Sequence, residues 1–491
     1  MASDRPNILW YCTDQQRFDT IAALGNSHIR TPSLDRLIGN GTAFRQTYVQ
    51  SPICTPSRAS FLTGRYPAST HVHRNGNAYF PDSEKLVTRI LADHGYDCGL
   101  IGKLHLSSAD REMEERTDDG YRMMNWSHHP MPNSDGQRND YGRWLKEKKG
   151  VDHCELYKDV RGFFAEGVPA ELHQSTWCTD VAIEFIDEPR DGPWMLSINP
   201  FDPHPQFDPP AEYLSRYDPE THPDPLFRES DLERQKGFQS ICQQSMTATD
   251  PLLGKNVKDE DNRYAATHPP NSFNGREIKA AYYAMIELLD DQFARLIDHL
   301  EKTEQLESTL IIFHSDHGEM LGDHGLLYKG CRFFEGLVHV PLIFSWRGKV
   351  LEGQVSDALV ELVDLAPTVL DAAGIETPYY MQGKSLLPLL RGESDLHTHK
   401  SSVVCEFNDA LGSARFNKPT HATMNFDGRY KTVVYHGHGF GELFDLKEDP
   451  GEFTNLWDDP ATQELRHALV MKHLDAVMAT SCAGVERVGR F

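Results

Sequence analysis

Short, nearly uninterrupted apolar runs alternate along the first part of the chain with segments of helical character. The apolar runs have the length expected of strands buried on both faces of a sheet, and they cover residues 7–13, 96–102, 193–198, 309–315 and 339–346. The segments between them show helical spacing of apolar residues or helix start and stop residues, and they cover residues 31–38, 85–94, 178–186, 278–300 and 359–373. This alternation predicts an α/β fold with a large, mostly parallel sheet sandwiched by helices.

The pattern changes after Pro378. Short strand-like segments joined by turn residues follow at residues 403–405, 422–424, 430–435 and 442–445, and a helix is expected at about 461–479. These segments predict a small antiparallel sheet with one helix. We therefore expect a large α/β domain at residues 1–380 and a smaller C-terminal α+β domain at residues 381–491.

Two long stretches, residues 110–167 and 202–274, are rich in Pro, Asp, His and Gly and show little periodicity. Loops of this length inside a compact domain usually carry function or cover a site. We expect both stretches to run over the ends of the strands.

Composition narrows the classes of partner. With 49 basic and 73 acidic residues the chain has a formal net charge of −24, which argues against nucleic acid or an anionic membrane as its main partner. The sequence has no run of about 18 apolar residues, and its N-terminus shows no signal-peptide pattern. Its nine cysteines are an odd number without close pairing, which favours a reducing compartment. We therefore expect a cytoplasmic protein.

The stretch Cys-Thr-Pro-Ser-Arg-Ala-Ser-Phe-Leu-Thr-Gly-Arg places the sulfur of Cys54 at the predicted start of a helix. Pro56 pre-sets the first helical turn, Thr55 is expected to cap it, and Gly64 provides a left-handed stop. Free backbone N–H groups, the positive end of the helix dipole and the charge of Arg58 therefore lie near the sulfur. This arrangement predicts a site for an anion.

Two strands of the predicted sheet, far apart in the sequence, end in a carboxylate. Asp14 follows the first apolar run, and Asp316 follows the run at residues 309–315. Ligands of open α/β sheets bind outside the carboxyl ends of the strands, so these two side chains are expected to meet. Together with the neighbouring Gln15 and His317 they predict a cation site of oxygen ligands plus one imidazole.

The Cys-x-Pro-Ser-Arg motif at Cys54 and the residues after it resemble the signature of type I sulfatases, a family of the alkaline phosphatase superfamily. The resemblance implies an alkaline-phosphatase-like fold and a cysteine that a formylglycine-generating enzyme oxidises to formylglycine. It also implies one divalent metal ion, bound after the first strand, at the formylglycine and at an Asp-containing segment late in the large domain. The matching positions are Asp14, Gln15, Cys54, Asp316 and His317.

The expected metal ligands depart from the pattern of many sulfatases, which carry paired aspartates after the first strand and an Asp-Asn pair later. This chain has Asp14-Gln15 and Asp316-His317 instead. With one carboxylate fewer and one nitrogen ligand more, the predicted site shifts in its metal preference from Ca²⁺ toward Mn²⁺. Both ions remain candidates. The same arrangement is similar to that of the phosphonate monoester hydrolase and choline-sulfatase branches of the family.

Further positions of this sequence match functional residues of the family. The Gly-Lys-Leu-His segment is similar to the sulfatase Gly-Lys-x-His element, which implies that Lys103 binds the sulfate group and that His105 lies beside the formylglycine. His204 and Lys329 resemble the pair that binds sulfate and serves the leaving group. Asn75 matches a substrate-contacting asparagine of phosphonate hydrolases. The Lys103 element favours sulfate esters, because the phosphonate hydrolases lack it.

The resemblance implies hydrolysis of sulfate monoesters, with aryl sulfates as the first expectation and Cys54 as the nucleophile after modification. One hydroxyl of the hydrated formylglycine attacks sulfur, and deprotonation of the other then expels sulfate and restores the aldehyde. Arg58 is expected to orient this gem-diol, Lys103 and Lys329 to hold the sulfate group, and His105 to assist the elimination.

Several alternatives stay open at this point. The same site is compatible with a phosphonate monoester hydrolase or phosphodiesterase, with promiscuity between these esters and sulfates, and with a choline-sulfatase. A non-catalytic anion-binding protein with an unmodified cysteine is a further alternative. The expected partners are a small sulfate ester and the formylglycine-generating enzyme, and a homo-oligomer is also open.

Overall fold

The structure, a computed structural model, describes residues 5–109, 113–132, 139–160, 162–254, 269–409, 419–481 and 488–490. Within these ranges the strands are β1 Asn7–Thr13, β2 Thr42–Tyr48, β3 Asp97–Gly102, β4 Met123–Trp126, β5 Trp194–Asn199, β6 Thr309–Ser315, β7 Leu342–Ser345, β8 Gln354–Glu361, β9 Val403–Asp409, β10 Thr420–Phe426, β11 Tyr430–Tyr435 and β12 Phe440–Asp445. The α-helices are α1 Pro32–Gly39, α2 Cys54–Thr63, α3 Pro67–Thr70, α4 Val87–Asp93, α5 Asp140–Trp144, α6 His153–Leu156, α7 Gln174–Ile186, α8 Ala211–Leu214, α9 Ser230–Lys236, α10 Gly275–Lys302, α11 Glu335–Val338, α12 Leu365–Ala372, α13 Leu387–Leu390 and α14 Gln463–Ala479. Among the helices of these described ranges, none combines the length and the apolar character needed to cross a membrane.

The first eight strands form one sheet in the order β4-β3-β5-β1-β6-β7-β2-β8. Neighbouring strands are parallel except at β7, which runs antiparallel to both β6 and β2. β1 lies in the middle and pairs in parallel with β5 and β6. The predicted large, mostly parallel sheet is confirmed.

Alternate residues of β1 pack into two different hydrophobic cores. Trp10 packs against Phe61 of α2 on one face, with ring centroids 5.9 Å apart. Tyr11 packs against Phe293 of α10 on the other face, with ring centroids 5.3 Å apart. Helices therefore cover both faces of the sheet, which explains why the strand is apolar without alternation.

The last four strands form an antiparallel sheet in the order β12-β11-β10-β9, and α14 packs on it. This confirms the predicted small antiparallel sheet with a helix. The boundary predicted near residue 380 falls between β8, which ends at Glu361, and β9, which begins at Val403. The division into two domains at that residue stays a prediction.

Two lysines, one fully buried and one half-buried, connect the region of the small sheet to that of the large one. Lys431 on β11 is fully buried, and its ammonium lies 2.6 Å from the Glu335 carboxylate and 2.7 Å from the Glu452 carboxylate. Lys400, just before β9, lies 2.6 Å from the carboxylate of Glu361 at the end of β8. Charges of the two parts therefore neutralise each other in the interior.

The helix predicted over residues 359–373 is wrong in its first part. β8 continues to Glu361 and pairs in parallel with β2, and the helix α12 covers only Leu365–Ala372. Apolar residues such as Leu359 and Val360 fit a strand or a helix equally well, and pairing with β2 decides the outcome.

The two long stretches predicted as loops contain short elements where they are described. α5 and α6 lie in the first stretch, α8 and α9 in the second, and β4 extends the large sheet beside β3. The parts of these stretches at residues 110–112, 133–138, 161 and 255–268 lie outside the described residues.

Candidate active site

Cys54 is the first residue of α2, a helix of 10 residues that are all buried. Thr55 lies inside the helix, and its hydroxyl has no hydrogen-bond partner among the described residues, so the prediction that Thr55 caps the helix is wrong. The backbone N–H of Thr55 instead donates to the side-chain oxygen of Asn75 at 3.0 Å. Asn75 therefore lies beside the sulfur-bearing residue. Gly64 ends the helix in the predicted left-handed conformation, with φ 67°.

The carboxylates of Asp14 and Asp316 meet at the carboxyl edge of the large sheet. Thr13 and Ser315 are register partners at the ends of β1 and β6, so the residues that follow them are adjacent. The N–H of Gln15 donates to Asp316 Oδ1 at 3.0 Å, which ties the two loops together. Both aspartate side chains are fully buried.

Four residues at this edge form a potential metal group. Asp14, Cys54, Asp316 and His317 each offer one ligand atom, and these atoms all lie within 4.8 Å of one another, as in no other such group of the described residues. Two carboxylates and one imidazole, with the amide oxygen of Gln15 next to them, form a largely oxygen donor set. This chemistry fits a divalent ion such as Mn²⁺ or Ca²⁺.

Glu319 fixes the orientation of Gln15. Gln15 has a left-handed backbone, with φ 70°, and its amide nitrogen donates to the Glu319 carboxylate. The amide oxygen is thereby turned toward the site, where it accepts from Lys329 Nζ at 2.7 Å. Burial raises the pKa of Glu319, against the opposing hydrogen bonds it accepts. Glu319 lies outside the site residues predicted from the sequence, although it follows the Asp-His pair in the same loop.

Arg58 bridges the two aspartates. Its Nη2 donates to Asp14 Oδ2 at 3.0 Å, and its Nε donates to Asp316 Oδ2 at 2.8 Å. Its Nη1 donates to the backbone oxygen of Lys103 at 3.0 Å. Burial by itself lowers the pKa of Arg58, but Asp316 and other neighbouring acids outweigh burial and raise it. The guanidinium therefore holds the carboxylates in position, and its predicted role toward a gem-diol stays a prediction.

Positive charge surrounds the Cys54 sulfur. Lys329 Nζ lies 3.0 Å from the sulfur and Lys103 Nζ lies 3.7 Å from it. His317 Nε2 lies 3.1 Å from the sulfur. Burial by itself raises the pKa of the Cys54 thiol, but the two lysines and His317 outweigh burial and lower it well below its ordinary value. The surroundings thus stabilise an anion at this position.

His204 faces the same sulfur-centred site from the loop after β5. One ring nitrogen, Nδ1, lies 2.6 Å from the backbone oxygen of Pro205, and the other, Nε2, lies 2.9 Å from Lys329 Nζ. Burial and the charge of Lys329 lower the pKa of His204 to about 4. At neutral pH the imidazole is therefore neutral, with Nδ1–H donating to the carbonyl and Nε2 accepting from the ammonium.

His105 and His128 form a pair of packed imidazoles near the site. His105 follows β3, and its ring packs edge to face on that of His128, with centroids 4.5 Å apart. Burial and the charge of Lys103 lower the pKa of His105, and the neighbouring Cys54 opposes this effect. Neither ring nitrogen of His128 has a partner among the described residues. Burial, together with His105 and Lys103, lowers the pKa of His128 well below its ordinary value. His128 lies after β4 in no recognisable motif, so its sequence context gives no signal of a site residue.

Two family models match parts of this chain, and named relatives match most of it. Residues 6–375 match the family described as sulfatase, and residues 322–479 match the C-terminal part of N-sulphoglucosamine sulphohydrolase. An arylsulfatase of Clostridium perfringens is 30% identical over 480 residues, which cover 92% of this chain and 90% of that protein. A choline-sulfatase of Rhizobium meliloti is 30% identical, with 94% of this chain and 84% of that protein covered.

Two solved structures have the same fold. The phosphonate monoester hydrolase of Agrobacterium radiobacter is 24% identical and superposes with a TM-score of 0.78, covering 97% of this chain and 96% of that one. The phosphonate monoester hydrolase of Silicibacter pomeroyi is 24% identical with a TM-score of 0.79, covering 98% of this chain and 96% of that one. The alkaline-phosphatase-like fold expected from the sequence is thereby confirmed.

Proposed function

The chain belongs to the sulfatase family, and from this premise we propose that it hydrolyses sulfate monoesters, with aryl sulfates as the leading class and formylglycine derived from Cys54 as nucleophile. The observation that carries the proposal is the position of the Cys54 sulfur, which lies at a buried helix start 3.0 Å from Lys329 Nζ and 3.7 Å from Lys103 Nζ. A sulfate group that reacts here is surrounded by positive charge in a site that excludes most water. Charge on the transferred group is stabilised most strongly under such conditions.

The proposed active site includes one divalent ion, Mn²⁺ or Ca²⁺. Its ligands are Asp14, Gln15, Asp316, His317 and the modified Cys54. When bound, the ion supplies Lewis-acid chemistry that makes a hydroxyl group more acidic and neutralises charge on the ester. The chain itself keeps the donors in place, because Arg58 and Glu319 fix the aspartates and Gln15.

The basic side chains bind the sulfate group and supply a proton. Lys103 is held by Asp14 at 2.6 Å and binds one non-bridging oxygen, and Lys329 binds the ester oxygen that leaves. His204 carries no proton on Nε2 when its Nδ1–H donates to Pro205. The proton for the leaving oxygen is therefore held on Lys329 Nζ. His204 Nε2 lies 2.9 Å from this ammonium and orients it.

The central test is the replacement of Cys54. Cys54→Ala abolishes turnover of para-nitrophenyl sulfate by protein produced together with a formylglycine-generating enzyme, and leaves the melting temperature close to that of the wild type. The matched control is Cys154→Ala, which removes an exposed thiol and keeps full activity. Mass spectrometry of the Cys54 peptide accompanies the assay and detects replacement of CH2SH by CHO. Full activity of Cys54→Ala, or an unmodified thiol in fully active protein, would contradict the proposal.

Phosphonate monoesters and phosphodiesters are the second candidate substrates. The observation in their favour is the Asp14-Gln15 and Asp316-His317 ligand set, with the Gln15 oxygen turned into the site. The Lys103 and His105 element favours sulfate. Comparison of kcat/KM for an aryl sulfate, an aryl phosphonate and choline sulfate on one preparation decides the order. A much higher value for the phosphonate or for choline sulfate would replace the aryl sulfate assignment, and no turnover of any ester would leave a non-catalytic anion-binding protein.

A further inference from the structure

We propose that Glu114 is a positioning residue for His105, which acts by holding the turn after β3 in the conformation that presents the imidazole to Cys54. The inference rests on the proposed function, since a part for His105 in turnover belongs to that proposal. Glu114 is 1% exposed, and it lies outside every motif of the family resemblance.

The turn after β3 has a backbone that needs external support. Gly102, the last residue of β3, has φ 95°, and His105, three residues later, has φ 59°. A side-chain-bearing residue in the left-handed region is uncommon and persists only where its surroundings over-determine the conformation. Lys103 is fixed at its own backbone, because its N–H donates to the Asn199 carbonyl at 2.9 Å and its carbonyl accepts from Arg58. The conformation of His105 therefore depends on the groups that accept hydrogen bonds from its own N–H and from the N–H of Leu106.

Both of those N–H groups bind Glu114. The N–H of His105 donates to Oε1 at 2.7 Å, and the N–H of Leu106 donates to Oε2 at 2.7 Å. Hydrogen bonds from successive backbone N–H groups to one anion require that these groups point the same way, as in an anion-binding nest. Bonds to an ionised acceptor are among the stronger ones in proteins. The buried carboxylate therefore selects the left-handed backbone at His105.

Glu114 also fixes the partner strand. The indole N–H of Trp126, the last residue of β4, donates to Glu114 Oε1 at 2.9 Å. Trp126 is the register partner of Gly102 on β3, and the residue two positions later is His128, on which the His105 ring packs. One carboxylate thus joins the ends of two neighbouring strands, each of which is followed by one imidazole of the packed His105–His128 pair.

The test is a double-variant cycle on the complete, metal-loaded and modified enzyme. Glu114→Gln keeps the shape of the side chain but offers one oxygen and one NH2 group, so one of the two backbone N–H groups loses its acceptor. Misplacing a catalytic group in this way is expected to lower kcat on para-nitrophenyl sulfate about 10- to 100-fold, with KM changed less than about twofold. Glu115→Gln, a change at the exposed neighbour, is the matched control and keeps the wild-type kcat.

The cycle separates positioning from a general structural role. If Glu114 acts through His105, the variant that carries both Glu114→Gln and His105→Ala has the same kcat as His105→Ala alone. Multiplicative losses, or a lower melting temperature with unchanged kcat, would overturn the inference. If Glu114→Gln fails to fold, Glu114→Asp keeps the charge at a shorter reach, and it is expected to give an intermediate loss of kcat; wild-type kcat would count against the inference.

A second measurement does not depend on turnover. Hydrogen exchange of the backbone N–H groups of His105 and Leu106 is expected to be slow in the wild type and at least about tenfold faster in Glu114→Gln. Equal exchange rates would overturn the inference even if the protein hydrolyses no ester at all. An inactive wild type with the expected exchange difference would instead contradict the proposed function alone.

Discussion

Replacing Lys431 by methionine should strongly destabilise the fold, because Lys431 is the buried cation between Glu335 and Glu452. Its ammonium lies 2.6 and 2.7 Å from these carboxylates and donates to the backbone oxygen of Phe333 at 2.9 Å. Methionine has a similar volume, so the change removes charge rather than packing. The buried Glu452 carboxylate and the largely buried Glu335 carboxylate then lose this counter-ion. Removing one partner of a buried ion pair costs about 3 to 5 kcal/mol, and we expect a loss of stability in this range.

The loss should grow with pH. Burial raises the pKa of Glu452 to about 7, although Lys431 opposes the increase. Without Lys431 the pKa rises further, so the folded state needs a proton that the unfolded chain has already lost above about pH 4.5. Urea unfolding at about pH 5 and about pH 8 should therefore show a larger difference from wild type at the higher pH.

Two further variants separate the loss of a buried counter-ion from the loss of a surface charge. Lys472→Met on α14, where the side chain is 67% exposed and lies 3.8 Å from Asp427, should change stability by less than about 1 kcal/mol. Adding Glu452→Gln to Lys431→Met should restore part of the loss, because it removes one uncompensated charge. A loss below about 1 kcal/mol for Lys431→Met, or one that does not depend on pH, would refute the argument.

Two other predictions concern a buried acid and the metal. Burial raises the pKa of Glu406 to about 7 from the ordinary 4.5, so its contribution to stability is full below about pH 4.5 and falls by roughly 3 kcal/mol as the pH rises through about 7. Glu406→Gln should flatten this dependence in urea unfolding, and an unchanged slope would contradict the assignment. Adding Mn²⁺ or Ca²⁺ to chelator-treated protein should raise the melting temperature, by the equivalent of about 2.7 kcal/mol at about 100 times Kd. Asp316→Ala should remove this increase; an undiminished increase would mean that the ion binds elsewhere.

The strands buried on both faces were predictable, because such strands are apolar at nearly every position. β1 and β6 are examples, since their apolar runs correspond to the observed strands. β2 was missed, because Arg45 and Gln46 interrupt its apolar residues and lie on its less buried part. Only the last residues of β8, Leu359 to Glu361, fall within the stretch predicted as a helix, because pairing with β2 rather than their own residue types makes them a strand.

The candidate site was predictable where one residue type must occupy one position of a motif. Asp14, Cys54 and Asp316 are brought together as expected. The supporting residues were not predictable, because their effect depends on hydrogen bonds to segments that no local pattern specifies. Glu319 orients Gln15 from another loop. The error at Thr55 has the same origin: an asparagine from another segment accepts the N–H near the helix start.

The position of β1 in the middle of the large sheet also sets the order of events during synthesis. Its partner β6 begins only at Thr309, and His317 and Lys329, which enclose the Cys54 sulfur, are translated later still. Contacts between segments so distant in sequence form late. On the ribosome Cys54 is therefore accessible for much of translation, whereas in the finished fold it is 1% exposed. The proposed oxidation of Cys54 therefore requires access to the growing chain, because the finished fold encloses the thiol.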